Sequence, residues 1–258
     1  MAIYDVNGNL ISYGNDAHLS VPWITEMHRG YTSATVHENT LEAFWRAYLN
    51  GADWIECDAR LSSDNVYVSN HDATVTVGGT TYTIASTTAS VLTSLVLSTD
   101  PTYGECKLPT LESILKMCAY TGMNVNLDCK AINASTLAQL VVDCGMSGRV
   151  AYANATTANA STILGIDSRA GFIFPYSDLS TWTTALSDYR VRERSFAWAY
   201  TVSYEALRAT RATGFGYLLA GVNSTTDMPY NPDMVEFADS ADCKTLNQTY
   251  LNSLDFGL

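Results

Sequence analysis

The sequence predicts a closed (β/α)8 TIM barrel, a single domain over residues 1–258 with a small insertion after the second strand. Two observations carry that expectation. Short apolar runs alternate along the chain with amphipathic helical segments, the pattern of strands paired in parallel. The chain has 258 residues, and eight such strand–helix units fill a barrel of roughly 250 residues.

The elements follow in order. Residues 1–20 read as an irregular N-terminal arm with turn signals at Asn7-Gly8-Asn9 and Gly14-Asn15. Val21 to Met27 is the first strand, ending at His28. Asn39 is a candidate N-cap and Glu42, three residues on, completes a capping-box pattern for a helix over Leu41 to Leu49. Asn50-Gly51 stops that helix, and Ala52 to Leu61 is the second strand. Residues 73–108 break the rhythm. They are rich in Thr, Ser and Gly, carry a Gly78-Gly79 hairpin signal, and read as the insertion.

Beyond the insertion the alternation resumes. Strands are expected at Met123 to Cys129, Arg149 to Ala153, Ala170 to Pro175, Ser195 to Tyr200, Gly216 to Val222 and Met234 to Ala238. Helices are expected at Leu111 to Tyr120, Ala134 to Cys144, Ala158 to Leu164, Leu179 to Tyr189, Tyr204 to Thr213 and Leu246 to Leu254. The connection Asn223 to Asp233 is too short for a full helix, so the barrel should be irregular there.

Composition excludes several functions. The formal net charge is −12, which makes nucleic acid and anionic membrane surfaces poor partners. No stretch approaches the ~20 apolar residues of a membrane span. Met1 to Leu10 has neither a basic stretch nor an apolar run, so no signal peptide is expected there. The six cysteines include no CxxC pair, and they read as free, mostly buried thiols rather than zinc ligands or a redox pair. A surface rich in Ser, Thr, Asn and Tyr and poor in Lys hints at a secreted or particle-borne protein, and a cytoplasmic one stays open.

The chemistry concentrates at strand ends. In a parallel barrel the site lies at the carboxyl ends of the strands. His28 closes the first strand, Glu56 and Asp58 the second, Asp128 and Lys130 the third. Side chains alternate along a strand, so Glu56 and Asp58 share one face while Cys57 takes the other, and Asp128 and Lys130 share a face opposite Cys129. Cys57 and Cys129 therefore belong to packing. A surface carboxylate pair is usually just solvated, and a single His is usually a hydrogen-bonded structural residue. Here three carboxylates, Arg29, Lys130 and two of the chain's four His gather around three neighbouring strands. Three converging carboxylates repel unless a cation sits among them. One hard divalent metal, Mg²⁺ or Ca²⁺, resolves that repulsion because both prefer oxygen ligands.

The motifs His28-Arg29-Gly30, Glu38-Asn39-Thr40, Gly51-Ala52-Asp53, Glu56-Cys57-Asp58, His71-Asp72 and Leu108-Pro109-Thr110-Leu111-Glu112 resemble the glycerophosphodiester phosphodiesterase family in order and spacing. The likeness is strong over residues 22–131. Beyond, Gly221-Val222-Asn223 and Ala238-Asp239 look like worn forms of the family's later motifs. The resemblance implies the barrel, the insertion, and a divalent metal held by Glu56, Asp58 and Asp128. It implies His28 and His71 as the acid–base pair, Arg29 and Lys130 as phosphate contacts, and cleavage of a glycerophosphodiester to glycerol 3-phosphate and an alcohol. The residue types suit that reaction. Negative charge builds on the phosphoryl oxygens, where a Lewis acid and cationic side chains stabilise it. Imidazole can take or give a proton near neutral pH, and His28 is favoured as base and His71 as acid.

Departures from the family pattern are informative. His37 stands where the family has Pro, and is expected to be exposed rather than catalytic. Asp128 replaces the usual Glu. Related sphingomyelinase D-type enzymes also use Asp near a Lys, which keeps a lyase forming a cyclic phosphate open. Ala220 replaces a Trp of the seventh strand, and Trp198 and Tyr200 are candidates to wall the pocket in its place, ordinary core packing being the alternative for both. Glu38 is expected to brace Arg29. A glycerol-phosphate polymer such as teichoic acid is a rival substrate, against which the net charge weighs. The Arg190, Arg192, Arg194 cluster precedes the sixth strand and so falls on the far rim. A non-catalytic binding module is the third reading, disfavoured by retention of both His and all three acids.

Overall fold

A computed structural model describes residues 2–4, 10–13, 24–201, 203–222, 232–238 and 246. Eight parallel strands close into a barrel: β1 (Ile24–Met27), β2 (Trp54–Leu61), β3 (Asn124–Ala131), β4 (Val150–Ala153), β5 (Gly171–Pro175), β6 (Phe196–Ala199), β7 (Gly216–Val222) and β8 (Met234–Phe237). β3 returns to pair with β2 and β8 pairs with β1, so the cylinder has no open edge. The register puts Asp128 level with Asp58, Asn126 level with Glu56, and Glu236 level with Glu26.

Period-2 alternation sorts each strand between two cores. Ala151, Ile173, Phe196, Leu218 and Met234 fill the barrel interior with Ile24, Trp54 and Trp198. Ile55, Cys57, Val125, Leu127, Tyr152, Phe172, Phe174 and Phe237 face outward onto the helices. Cys57 is fully buried in that outer layer and Cys129 packs against it. Cys57, Cys106, Cys118, Cys129 and Cys144 are all free thiols. Phe174 stacks on Trp182 of the fifth outer helix at 5.0 Å between ring centroids.

The helices are α1 (Leu41–Leu49), α2 (Leu111–Thr121), α3 (Ala134–Asp143), α4 (Thr157–Ile166), α5 (Leu179–Ala185) and α6 (Tyr204–Ala212). Gly122 ends α2 in the left-handed conformation, at φ 86°. Two expectations need correction. The N-cap of α1 is Thr40, whose hydroxyl accepts from the Ala43 N–H, and not Asn39. Asn39 sits at φ 57° and spends its side chain on Asp58. The helix expected over Leu179 to Tyr189 stops at Ala185, and a separate single turn spans Tyr189–Arg192.

The insertion carries the expected hairpin, Thr74–Val77 against Thr80–Thr83, turning on Gly78 and Gly79. It also carries a second one, Val96–Asp100 against Gly104–Lys107, that the sequence reading did not anticipate. Val75, Ile84, Leu92, Leu95 and Leu108 of the insertion form a small separate core with Val68 of the strand Tyr67–Ser69. The second hairpin braces the loop after β1, since the Ser98 hydroxyl accepts from the His37 N–H and Asp100 from the Thr35 hydroxyl. In the N-terminal arm Ala2–Tyr4 pairs antiparallel with Leu10–Tyr13, so it is not wholly irregular. His18, the start of the first expected strand at Val21, the connection 223–231 and the closing helix beyond Leu246 lie outside the described residues. No helix among the described residues is long and apolar enough to cross a membrane.

Candidate active site

The turn after β1 is built to bring Arg29 against β2. Arg29 at φ 52° and Gly30 at φ 86° both adopt left-handed backbone. A Cβ on Gly30 would lie 2.8 Å from the Ala43 backbone and Cβ, so only glycine fits beneath α1. The turn aims the Arg29 N–H at Glu56 Oε2, 3.0 Å away. Asn39 donates from Nδ2 to Asp58 at 2.7 Å and accepts the Asp58 N–H and the Ser69 hydroxyl at Oδ1. This residue locks the loop to the second strand.

Glu56, Asp58 and Asp128 then converge, with one carboxylate oxygen from each lying within 4.8 Å of the others. Two cations flank them. Lys130 Nζ lies 2.6 Å from Asp128 and 3.4 Å from Asp58. Arg29 Nε lies 3.7 Å from Asp58, while its Nη1 donates to both Glu38 oxygens at 3.1 Å. Burial opposes the charge on Arg29 and Lys130, but neighbouring carboxylates outweigh it and raise both above their ordinary values. Glu38 braces Arg29 as expected.

The acids respond to this crowding. Burial pushes the Glu56 carboxyl well above the usual range, and the charges of Asp58, Glu236, Asp128 and Glu26 push it further. Asp58 is fully buried, and its Oδ1 has no hydrogen bond although Lys130 faces it. A buried, under-satisfied carboxylate oxygen among three acids is the local signature of a cation site. The donors are all oxygens, the ligand type that hard divalent cations prefer, and together the three could hold a metal ion.

His28, Glu56 and Asp128 line one cavity of about 220 Å³ together with Trp198, Tyr200 and Ala220. Trp198 and Tyr200 meet edge-to-face at 5.2 Å in that lining, and Tyr200 is largely exposed. Trp198 also packs against the barrel interior. His71 does not line that cavity. It stands at the rim after the short strand Tyr67–Ser69, with Nδ1 3.0 Å from Asp72. Its carbonyl accepts from the Arg60 guanidinium. His37 is partly buried, against expectation, because the second hairpin covers it.

The sequence reading missed Glu26, Glu236, Asn126 and Asn154. Glu236 Oε1 lies 3.9 Å from His28 Nε2. Glu26 is fully buried and accepts from Asn126 at 3.0 Å, and Asn154 donates to Asp128 at 2.8 Å. For the two Glu the available signal was a single acid in each of two short interior strands, Ile24–Met27 and Met234–Phe237. Burial, followed by the Glu236 charge, raises the Glu26 carboxyl well above its usual range.

Burial pushes Glu236 up to about 7 from an ordinary 4.5, with Arg29 opposing and Asp128 adding to the shift. A carboxyl raised in the fold contributes stability that is fully present below its unfolded value and is lost as pH rises through the folded one. The metal-free protein should therefore lose stability from this group as pH rises between roughly 4.5 and 7. Glu236→Gln should raise the urea midpoint in chelator at pH 8 and leave it nearly unchanged below pH 4.5. An equal shift at both pH values would contradict the assignment.

The sequence model of the glycerophosphoryl diester phosphodiesterase family matches residues 28–173, more than half of the chain. The chain belongs to the glycerophosphoryl diester phosphodiesterase family. The match starts at His28, directly after β1, and ends inside β5, taking in the insertion and every acid of the candidate metal cluster. Solved structures share the fold at low identity. A glycerophosphodiester phosphodiesterase from Agrobacterium tumefaciens is 19% identical with a TM-score of 0.71, covering 86% of this chain and 98% of its own. A glycerophosphoryl diester phosphodiesterase from Parabacteroides distasonis is 17% identical with a TM-score of 0.70, covering 88% and 86%. A phosphodiesterase from Oleispira antarctica, in complex with the product sn-glycerol-3-phosphate, is 18% identical with a TM-score of 0.69, covering 89% and 97%.

Proposed function

We propose that this phosphodiesterase hydrolyses small glycerophosphodiesters to glycerol 3-phosphate and an alcohol, with one Mg²⁺ or Ca²⁺ held by Glu56, Asp58 and Asp128 and with His28 and His71 moving the protons. The observation that carries the reading is the convergence of those three carboxylates between Arg29 and Lys130, with His28 lining the same cavity. The glycerol 3-phosphate complex of the Oleispira structure supports the substrate class.

The bound metal would supply a Lewis acid for the phosphoryl oxygens and a template for the diester. Arg29 and Lys130 add fixed positive charge beside the same oxygens, which counts for more in a partly buried site than in water. His28 takes a proton from the attacking water as the water oxygen bonds to phosphorus. The phosphorus–alcohol bond breaks, and His71 gives the departing alkoxide its proton. Asp72 against Nδ1 leaves the other His71 nitrogen for that transfer.

The test is ³¹P NMR of glycerophosphodiester turnover with Mg²⁺ or Ca²⁺ and then with excess chelator. Metal-dependent appearance of glycerol 3-phosphate is expected. A cyclic phosphate as the end product would establish the lyase reaction instead, and turnover unaffected by chelator would remove the metal from the scheme.

A further inference from the structure

A second cavity, of about 510 Å³, opens between the loop after β1 and the first hairpin of the insertion. Thr32, Ser33 and His37 line it from the loop, and Asp72, Thr74 and Thr76 from the other wall. Two residues join it to the catalytic site. Glu38, which also lines it, holds the Arg29 guanidinium through both carboxylate oxygens. Asp72 pairs with the ring of His71. The candidate acid therefore stands at the edge of this cavity, whereas His28 shares the other one with Glu56 and Asp128.

We infer that this cavity is the subsite of the departing alcohol, and that it takes a neutral polyol such as a cyclitol or a second glycerol. The inference rests on the hydrolysis proposed above and names the alcohol class that the hydrolysis releases. Thr32, Ser33, Thr74 and Thr76 line it; Ser33 Oγ already accepts from the Val36 N–H and Thr76 Oγ1 pairs with Thr81, so the hydroxyls of Thr32 and Thr74 are the ones offered to a polyol, which like them both donates and accepts. The cavity is of the size that holds small-molecule ligands, roughly 300–1,000 Å³.

Charge and aromatic content select against the alternatives. Among the described residues no Lys or Arg side chain lines the cavity, so a further phosphate of a glycerol-phosphate polymer meets Glu38 and Asp72 without a cationic partner on the wall. No Phe, Trp or Tyr lines it either, so a trimethylammonium group finds no aromatic face.

The experiment has a kinetic and a binding arm. The wild-type enzyme should show a higher kcat/KM for glycerophosphoinositol than for glycerophosphocholine. Thr76→Trp, on the exposed hairpin, should lower the ratio of kcat/KM for glycerophosphoinositol to that for glycerophosphomethanol by about tenfold or more. Thr32→Trp should repeat that loss from the opposite wall, which guards against misfolding of either variant. In the binding arm, saturation-transfer NMR should detect myo-inositol on the wild type and lose it in both variants. A preference for the choline diester, or a selectivity ratio unmoved in both variants, would overturn the subsite. Inositol binding without turnover of any diester would instead overturn the hydrolysis proposal and leave the subsite standing.

Discussion

Glu56→Gln is expected to lower turnover by roughly 10³-fold or more and, at pH 8 in chelator, to raise the stability of the protein. The two effects have one cause. Glu56 is buried at the centre of the acid cluster, and Asp58, Glu236, Asp128 and Glu26 all raise its carboxyl. Without a cation its charge works against the fold, and a neutral amide of the same shape relieves the repulsion while still accepting the Arg29 N–H. With a cation, the charge is the ligand. The wild type should therefore gain stability on adding Mg²⁺ or Ca²⁺, as any ligand of the native state confers, and Glu56→Gln should lose most of that gain. Thermal unfolding with chelator and with metal, alongside initial rates, measures all three. A variant that stays active, or that keeps the full metal-induced shift, would contradict the ligand assignment.

His71→Ala should slow diesters of poor leaving alcohols by about 10²–10⁴-fold and activated nitrophenyl esters far less. A general acid matters in proportion to how badly the departing oxygen needs a proton. His28→Ala should slow both substrates alike, because activation of water is needed whatever leaves. His71 is well placed for a role at the alcohol: it lies on the insertion side, its Nδ1 faces Asp72 and its carbonyl is held by Arg60. Rates on one aliphatic and one aryl diester decide the matter. Equal losses for His71→Ala on the two would reject it as the acid.

What could be read from sequence was whatever depends on position along a strand. The alternation Glu56-Cys57-Asp58 assigns two side chains to the interior and one to the outer layer, and the structure places them so. Asp128 and Lys130 follow the same rule on β3. What stayed hidden depends on closure of the barrel. Glu236 reaches His28 only because β8 pairs with β1, more than 200 residues away along the chain. A single Glu between apolar neighbours on a short strand looks like a solvent-facing residue until that pairing buries it. Asn39 was misassigned for a different reason. Its type suits an N-cap, but a left-handed backbone and the buried Asp58 carboxylate take it instead. The second hairpin escaped because Val96–Asp100 and Gly104–Lys107 are short and lack a clean apolar–polar alternation, although Asp100-Pro101 does mark a turn between them.

If Glu56, Asp58 and Asp128 hold the metal, Lys130 is the neighbour that neutralises them in its absence. Anomalous diffraction from crystals grown with Mn²⁺ or Ca²⁺ tests this most directly. The expected result is one peak bonded to an oxygen of each of the three carboxylates, with Lys130 Nζ drawn away from its 2.6 Å contact with Asp128. A saturating metal that binds elsewhere, leaving the Lys130–Asp128 contact intact and the cluster empty, would contradict it.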